Sequence, residues 1–159
     1  LSLVGSEMCI RDRIYNSDIL FSIQPRYIKM ILDGRKTLEY RNKYWKVPYP
    51  NWFYVYESKP ISKLKYVLFL DHPYKMGEVI PYTSYGTDSF NNCSMHRNYA
   101  YPIKEIFEIN PPIDLATLRT IGITPPQNYL YVSKNQQLVN LLTNRDFACF
   151  EQLNLFNNF

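Results

Sequence analysis

The sequence lacks any apolar run close to the roughly 20 residues that a bilayer-spanning helix needs, so we expect no membrane span. It is also poor in cysteine and histidine, with three cysteines and two histidines in 159 residues. Three scattered cysteines cannot build a disulfide framework, which predicts a reduced, intracellular setting in the cytoplasm. Cys93 and His96 form a lone C-x-x-H pair without the further ligands that zinc requires. We therefore predict no metal site and no cofactor.

Positive charge is only modestly in excess, with a formal net charge of +4. This balance favours polyanionic partners weakly and falls short of the dense basic character of a protein that coats DNA. Apolar residues make up 46% of the chain, which is enough for a folded core. The length corresponds to about one domain.

The two ends of the chain differ from the rest in composition. The segment LSLVGSEMCIRDR at residues 1–13 has no apolar region of signal-peptide length and resembles translated sequencing-adapter DNA. We expect it to be an artefact and exclude it from fold reasoning. Residues 14–145 are predicted to form one domain. The Asn-rich and Phe-rich tail at residues 146–159 is predicted to be frayed.

Hydrophobic periodicity between these ends predicts five or six strands and about three short helices. The predicted strands are residues 18–24, 36–42, 51–58, 63–72, 99–109 and 127–132, and the predicted helices are 25–34, 112–122 and 133–142. Residues 73–98 are predicted to form a long loop with one helical turn around 88–92, and Pro102 indicates an edge or a bulge. Because no long helices separate the strands, we expect an α+β fold built on a small, curved, mostly antiparallel barrel.

The stretch GRKTLEYR, residues 34–41, concentrates polar chemistry between two apolar segments. Its second half reads as a strand, in which a period of two places Leu38 and Tyr40 on one face and Glu39 and Arg41 on the other. In the order strand, helix, strand, the two strands lie side by side. The ends of both are then expected to share one mouth. The candidate ligand-binding residues of this mouth and its neighbouring strands are Ser22, Gln24, Gly34, Lys36, Thr37, Glu39, Arg41, Tyr56 and Gln127.

Such a mouth has a clear chemical use. Cations hold phosphate, a carboxylate accepts a hydrogen bond from an exocyclic amine, and an aromatic ring stacks on a base. The competing interpretation is an ordinary solvated pair of Glu39 and Arg41 on a half-exposed strand, worth about 0–1 kcal/mol. The residues alone leave both interpretations open.

The spacing Gly34-x-Lys36-x-x-Glu39-x-Arg41, after a strand and a short helix, resembles the G-x-K-x-x-E-x-R signature of ASCH domains, members of the PUA-like superfamily. The segments FYVYESKPISKLKYVLFL and AYPIKEIFEINPPIDLATLRTIGITPPQNYLYV are similar to later parts of that family, so the resemblance runs over about residues 18–142. It implies a PUA-like β-barrel with a cleft at the motif. It also implies binding of RNA, of another single-stranded nucleic acid or of a modified nucleoside. Oligomeric state is not indicated.

The resemblance also implies an alternative activity. Some small ASCH proteins are amidohydrolases that remove the acetyl group of N4-acetylcytidine, using a Lys, a Thr three residues later and a more distant Glu. Lys36 matches that Lys, but Glu39 stands where the Thr would be, and a carboxylate cannot replace a hydroxyl nucleophile. In this alternative Lys36 and Glu39 are the catalytic residues, Glu39 activates water, and Glu105 is a candidate for the distant carboxylate. Whether the chain is an enzyme stays open at this point.

Overall fold

The computed structural model describes residues 16–150. The predicted artefact at residues 1–13 and most of the predicted tail lie outside these described residues. The strands are β1 (Ile19–Ile23), β2 (Leu38–Arg41), β3 (Asn51–Glu57), β4 (Lys63–Leu70), β5 (Tyr74–Lys75), β6 (Tyr99–Asp114), β7 (Leu130–Tyr131) and β8 (Asp146–Cys149). The α-helices are α1 (Pro25–Leu32), α2 (Thr87–Asn91), α3 (Leu115–Thr120) and α4 (Gln136–Thr143), with a 3₁₀ turn at Val132–Lys134.

The strands form one curled sheet in the order β2-β6-β4-β3-β1-β7, with β5 and β8 also paired to β6. Only β1 and β3 run parallel among the described strand pairs, which confirms the predicted small, mostly antiparallel α+β fold. The 16-residue β6 serves β2 and β5 near its start and β4 and β8 further along, so the sheet curls into a half-barrel. The register between β4 and β6 shifts opposite Phe69 and Leu70, close to Pro102, where the sequence indicated an edge or a bulge.

Apolar residues of β1 and β3 alternate between the two faces of the sheet. Leu20, Trp52 and Tyr54 pack in one buried cluster. Phe21 and Phe53 pack in another, with ring centroids 5.2 Å apart. Because side chains point to opposite faces at every step along a strand, both faces of this part of the sheet are covered. Trp52, Tyr54 and Tyr56 share one face of β3, and that face is core.

The helix that precedes the motif matches its prediction closely. Pro25 occupies the first turn, where its missing N–H costs no hydrogen bond. Gly34 follows the last turn with φ 83°, a left-handed conformation that glycine adopts without a Cβ clash. The chain therefore reverses at Gly34 and enters β2 near the C-terminal end of β1.

Two later helices begin downstream of the predicted positions. Residues 112–114 extend β6 instead of opening a helix, and α3 starts after Asp114, whose carboxylate accepts from the Thr117 N–H at 2.8 Å. The helix α4 is capped by Asn135, whose Oδ1 accepts from the Leu138 N–H at 3.0 Å, and not by Ser133, which lies in the 3₁₀ turn. In both cases a short side-chain oxygen satisfies an N–H that the first helical turn leaves without a partner.

Three strand predictions need correction. Only residues 130 and 131 of the predicted strand 127–132 pair, as β7 against β1. Two residues of the predicted loop 73–98 form β5, while its predicted helical turn is present as α2. Residues 146–149 of the predicted frayed tail form β8, because Phe147 is 1% exposed and packs into the core opposite Ile109 of β6. Among the described residues, none of the helices is long and apolar enough to cross a membrane.

Candidate functional site

The turn from α1 into β2 fixes the start of the polar motif. The N–H of Lys36 donates to the carbonyl of Met30 at 3.0 Å, which ties the residue to the end of the helix. Arg35 points outward and pairs with Asp33, with Nη2 and Oδ2 2.7 Å apart on the surface. Alternate residues of the turn therefore go to solvent and to the interior.

Lys36, Glu39 and Arg41 form a compact cluster of charges, which we call the motif triad. The Lys36 Nζ lies 3.0 Å from Oε1 of Glu39, and the Arg41 Nε lies 2.8 Å from Oε2. The side chains of Lys36 and Glu39 are only 4% and 8% exposed, and that of Arg41 is 20% exposed. Because charge leaves water at a high free-energy cost unless it is paired, the three side chains depend on one another.

Backbone carbonyls complete the triad's hydrogen bonding. Lys36 Nζ also donates to the carbonyl of Leu38. Arg41 Nη2 donates to the carbonyl of Ser22 at 2.8 Å, and its guanidinium carbon lies 4.1 Å from the ring centroid of Phe21. Arg41 thereby links β2 to the end of β1. The prediction that these two strands lie side by side is wrong, because β6, β4 and β3 stand between them in the sheet.

The electrostatics of the triad keep Glu39 ionised. Burial by itself raises the pKa of the Glu39 carboxyl, but the nearby charges of Lys36 and Arg41 and their hydrogen bonds outweigh it and hold the pKa below its ordinary value of 4.5. A buried carboxylate with two cationic partners is a fixed negative charge at neutral pH.

This lowered pKa predicts a specific acid sensitivity. A group with a depressed folded-state pKa contributes stability above its unfolded pKa and loses it as pH falls toward the folded one. We expect the unfolding free energy to fall as the pH drops below about 4.5, and the fall to be shallower in Glu39→Gln. Urea unfolding measured from pH 7 to pH 3 checks this. Asp33→Asn removes an exposed carboxylate whose pKa is also lowered and should change the profile far less; equal profiles for Glu39→Gln and Asp33→Asn would contradict the expectation.

A cleft of about 680 Å³ opens over the triad, within the range of about 300–1,000 Å³ typical of small-molecule sites. It lies between the end of β1, the start of α1, the segment after β2 and the segment before β7. Its charged lining consists of Glu39, Arg41, Lys43 and Arg97; its aromatic lining consists of Tyr27, Tyr40, Trp45 and Tyr129; amides come from Gln24, Asn42, Gln127 and Asn128.

A smaller inner pocket of about 210 Å³ adjoins this cleft. The two cavities share Tyr27, Glu39, Tyr40 and Arg97 as lining. Lys36, Tyr85 and Met95 complete the inner pocket. The Lys36 Nζ lies 4.9 Å from the ring centroid of Tyr40 and 5.8 Å from that of Tyr27, which is cation–π range. A planar group that enters this pocket meets the side chains of Tyr27 and Tyr40 together with Lys36 and Glu39 of the triad.

The lining of the two cavities is electropositive. Four cationic side chains stand against the single carboxylate of Glu39, which leaves three positive charges in excess. Lys43 and Arg97 are exposed, and neither forms an ion pair with another described residue. The two exposed cations are thus available to an anionic ligand, while Lys36 and Arg41 are committed to Glu39.

The structure brings together six of the nine sequence-predicted ligand-binding residues at these cavities. They are Ser22, Gln24, Lys36, Glu39, Arg41 and Gln127. Ser22 presents its carbonyl to Arg41, while its hydroxyl donates away from the cleft to the carbonyl of Pro126 at 2.8 Å. Gln24 and Gln127 are exposed at the rim.

The remaining predicted residues lie elsewhere. Thr37 lines neither cavity, since its N–H and its hydroxyl both bond the Ser84 hydroxyl, at 2.9 and 2.8 Å. Gly34 shapes the turn behind the triad. Tyr56 is buried and borders a different cavity, on the face of β1 that carries the Ser22 hydroxyl. Glu105, half-buried on β6 opposite Phe69, also lines neither cavity of the site.

Sequence reasoning missed several side chains that the fold adds to the site, among them Tyr27, Lys43, Arg97 and Tyr129. Tyr27 fits the apolar stripe of α1, so its partial exposure to the cleft carries no local signal. Lys43 and Tyr129 lie outside the motif. Arg97 comes from the predicted loop, where periodicity is weak, and reaches the cleft because Asn98 bonds Asn42 through its N–H at 3.1 Å. Within residues 16–150, no three His, Cys, Asp or Glu side chains lie together as a metal ion would need.

Comparisons with solved structures give the fold a reference. The chain superimposes on the ASCH protein ZmASCH of Zymomonas mobilis with a TM-score of 0.60 and 18% sequence identity, over 80% of this chain and 96% of that one. A tyrosine-to-phenylalanine mutant of ZmASCH gives a TM-score of 0.63 at 16% identity, over 81% of this chain and 99% of that one. No protein-family model matches the sequence, and no curated protein matches it significantly. The chain therefore has the fold of an ASCH domain.

Proposed function

We propose that this chain, with its ASCH-domain fold, is a module that binds RNA, another single-stranded nucleic acid or a modified nucleotide in the cleft over the motif triad. The observation that carries the proposal is the electropositive lining of a cleft that also has aromatic walls. Phosphate groups position a nucleic acid through cationic side chains, and unpaired bases are held by stacking and edge hydrogen bonds.

The exposed cations are the phosphate contacts of this proposal. Lys43 and Arg97 line the cleft and have no described carboxylate partner. Arg41 and Lys36 add positive potential from below, although their donors are largely used inside the triad. Because an arginine presents five N–H donors, Arg41 keeps donor capacity beyond its two bonds.

The inner pocket is the base site of this proposal. Tyr27 and Tyr40 supply ring faces, and the pocket holds about 210 Å³. Glu39 lines it as a carboxylate with roughly four lone-pair sites, of which the triad uses two. A remaining lone pair can accept from an exocyclic amine of the base. The triad thus fixes the acceptor's position before the ligand arrives.

The geometry favours binding over hydrolysis. General-base catalysis is most efficient when the pKa of the base lies near the working pH, and the pKa of Glu39 is held low. The Thr37 hydroxyl is engaged by Ser84, and Glu105 is not in the cleft. Among the described residues, the amidohydrolase alternative therefore has neither Thr37 free as a nucleophile nor Glu105 in place as a second carboxylate beside Lys36.

Removing the two exposed cations tests the proposal. The double variant Lys43→Ala/Arg97→Ala should weaken binding of a fluorescein-labelled single-stranded RNA of about eight nucleotides. The slope of log affinity against log salt should fall in magnitude by about 1.4, because each phosphate contact on a single strand contributes about 0.7. Fluorescence anisotropy across a range of monovalent salt measures both quantities.

A matched control removes the same charge elsewhere. Lys104→Ala/Lys134→Ala takes two exposed lysines from positions that line neither cavity. It should leave the salt slope close to that of the wild type. Equal losses in both double variants, or no salt-dependent binding at all, would overturn the proposal. Conversion of free N4-acetylcytidine to cytidine by the wild type, lost in Lys36→Ala, would instead support the hydrolase.

A further inference from the structure

Besides the cleft and the inner pocket, a further cavity of about 620 Å³ lies beyond the end of β1 and shares Ser22 with the cleft. Tyr56 and Leu115 form apolar parts of its wall, and Ser58 and Ser62 contribute hydroxyls. We call it the flanking groove. The proposed function makes no use of it, although its lining includes Tyr56, a predicted ligand-binding residue.

The flanking groove is continuous with the cleft. Ser22, Gln24 and Gln127 line both cavities. The two cavities meet where the Ser22 hydroxyl donates to the carbonyl of Pro126, and the side chains of Gln24 and Gln127 are exposed there. A chain molecule can therefore pass from the cleft to the flanking groove across the amide side chains of Gln24 and Gln127, which we call the saddle.

The flanking groove has the same sign of charge as the cleft. Lys59 and Arg119 line it and are exposed, no carboxylate is among its lining residues, and neither cation forms an ion pair with a described residue. The cleft and the flanking groove together present a cationic path. The cleft contributes Arg97, Lys43 and Arg41, and the flanking groove contributes Arg119 and Lys59. Such a path matches a ligand whose negative charges repeat along its length.

We infer that the flanking groove carries the phosphates of nucleotides adjacent to the one in the cleft, so that the ligand is a single-stranded segment of several nucleotides and not a free nucleoside. The inference rests on the proposed function and narrows it. Cationic grooves that follow a backbone, joined to a site where a base stacks, are how single strands are held without duplex geometry. The amides of Gln24 and Gln127 at the saddle donate and accept, as sugar hydroxyls and base edges require.

The test compares ligand lengths in three proteins. Wild type, Lys59→Ala/Arg119→Ala and the control Lys104→Ala/Lys134→Ala are titrated with a labelled mononucleotide and with single strands of about eight nucleotides, one RNA and one DNA of the same sequence. In the wild type and the control, affinity should rise with length. In Lys59→Ala/Arg119→Ala the affinity for the longer strand should fall on the order of tenfold at 0.1 M salt, while mononucleotide binding is unchanged.

The outcomes separate this inference from the proposed function. If the longer strand binds Lys59→Ala/Arg119→Ala as tightly as the control, the flanking groove carries no phosphate, and the loss in Lys43→Ala/Arg97→Ala still decides the proposed function. If the wild type binds the mononucleotide as tightly as the longer strand, the ligand is a free nucleotide and the inference is overturned. If the wild type binds neither the mononucleotide nor the longer strands, both the inference and the proposed function are overturned. A preference between the RNA and the DNA strand identifies which backbone the path accepts, and Arg119→Gln alone repeats the test with a smaller change.

Discussion

Replacing Glu39 by alanine is expected to lower the unfolding free energy by about 3–5 kcal/mol. The substitution leaves the Lys36 ammonium without its counter-ion at a position 4% exposed, and it frees Arg41 from the bond that aligns its Nε. A buried charge without a partner costs far more than the pair itself contributes, so the effect exceeds that of any surface ion pair. Urea unfolding followed by tryptophan fluorescence measures it, because Trp45 and Trp52 are both buried.

Two further variants show whether charge is the cause. Asp71→Ala breaks the exposed Lys104–Asp71 pair, whose atoms lie 3.9 Å apart, and should change the unfolding free energy by no more than about 1 kcal/mol. Lys36→Met/Glu39→Gln removes one charge of each sign and should recover part of the stability lost in Glu39→Ala. A Glu39→Ala protein as stable as Asp71→Ala would mean that the motif triad does not depend on its central carboxylate.

The same burial decides which substitutions report on function. Alanine at Lys36 or Arg41 removes both a proposed ligand contact and a structural ion pair, so lost binding in those variants would have two causes. Lys43 and Arg97 line the same cleft and are exposed. Lost binding in Lys43→Ala/Arg97→Ala therefore has one cause. Substitutions of the exposed Lys43 and Arg97 therefore test binding more cleanly than substitutions within the motif itself.

Local patterns were sufficient to predict the part of the fold that builds the motif. The helical spacing, Pro25 and Gly34 define α1, and the period of two defines the faces of β2. These features depend on residues a few positions apart, which is the range over which propensity and periodicity act. The same period accounts for Leu38, which packs with Phe90 away from Glu39 and Arg41, whereas Tyr40 contacts Phe90 and also lines both cavities.

Features that depend on distant residues were not predictable in this way. Strand β8 forms because Phe147 fills a core position beside β6, and a four-residue stretch carries no strand signal until that partner is known. The triad's ion pair was visible as the spacing of Glu39 and Arg41, but its burial was not. That burial depends on the tertiary fold, in which Arg41 of β2 also donates to the carbonyl of Ser22 at the end of β1. Because the pair is buried, breaking it is expected to lower the unfolding free energy much more than breaking an exposed ion pair would.

The role of stacking in the cleft is tested by Tyr27. Its ring borders both cavities, lies 6.0 Å from the ring of Tyr85 between centroids, and is only partly buried. Tyr27→Ala is expected to weaken binding of the single-stranded RNA by about 1–3 kcal/mol, the amount that one stacked base contributes. Anisotropy at high salt measures this best, because screening removes the phosphate contribution and leaves the stacking contribution.

The matched variant Tyr27→Phe keeps the ring and removes the hydroxyl, which accepts from Arg26 Nη2 at 2.5 Å. If ring stacking is the cause, Tyr27→Phe binds like the wild type at every salt concentration, and Tyr27→Ala loses affinity by the same factor at low and high salt. If the hydroxyl positions Arg26 as a phosphate contact instead, both variants lose affinity, and the loss disappears as salt rises. The salt dependence of this pair of variants therefore separates a base-stacking cleft from a purely electrostatic one, and equal binding of all three proteins would remove Tyr27 from the site.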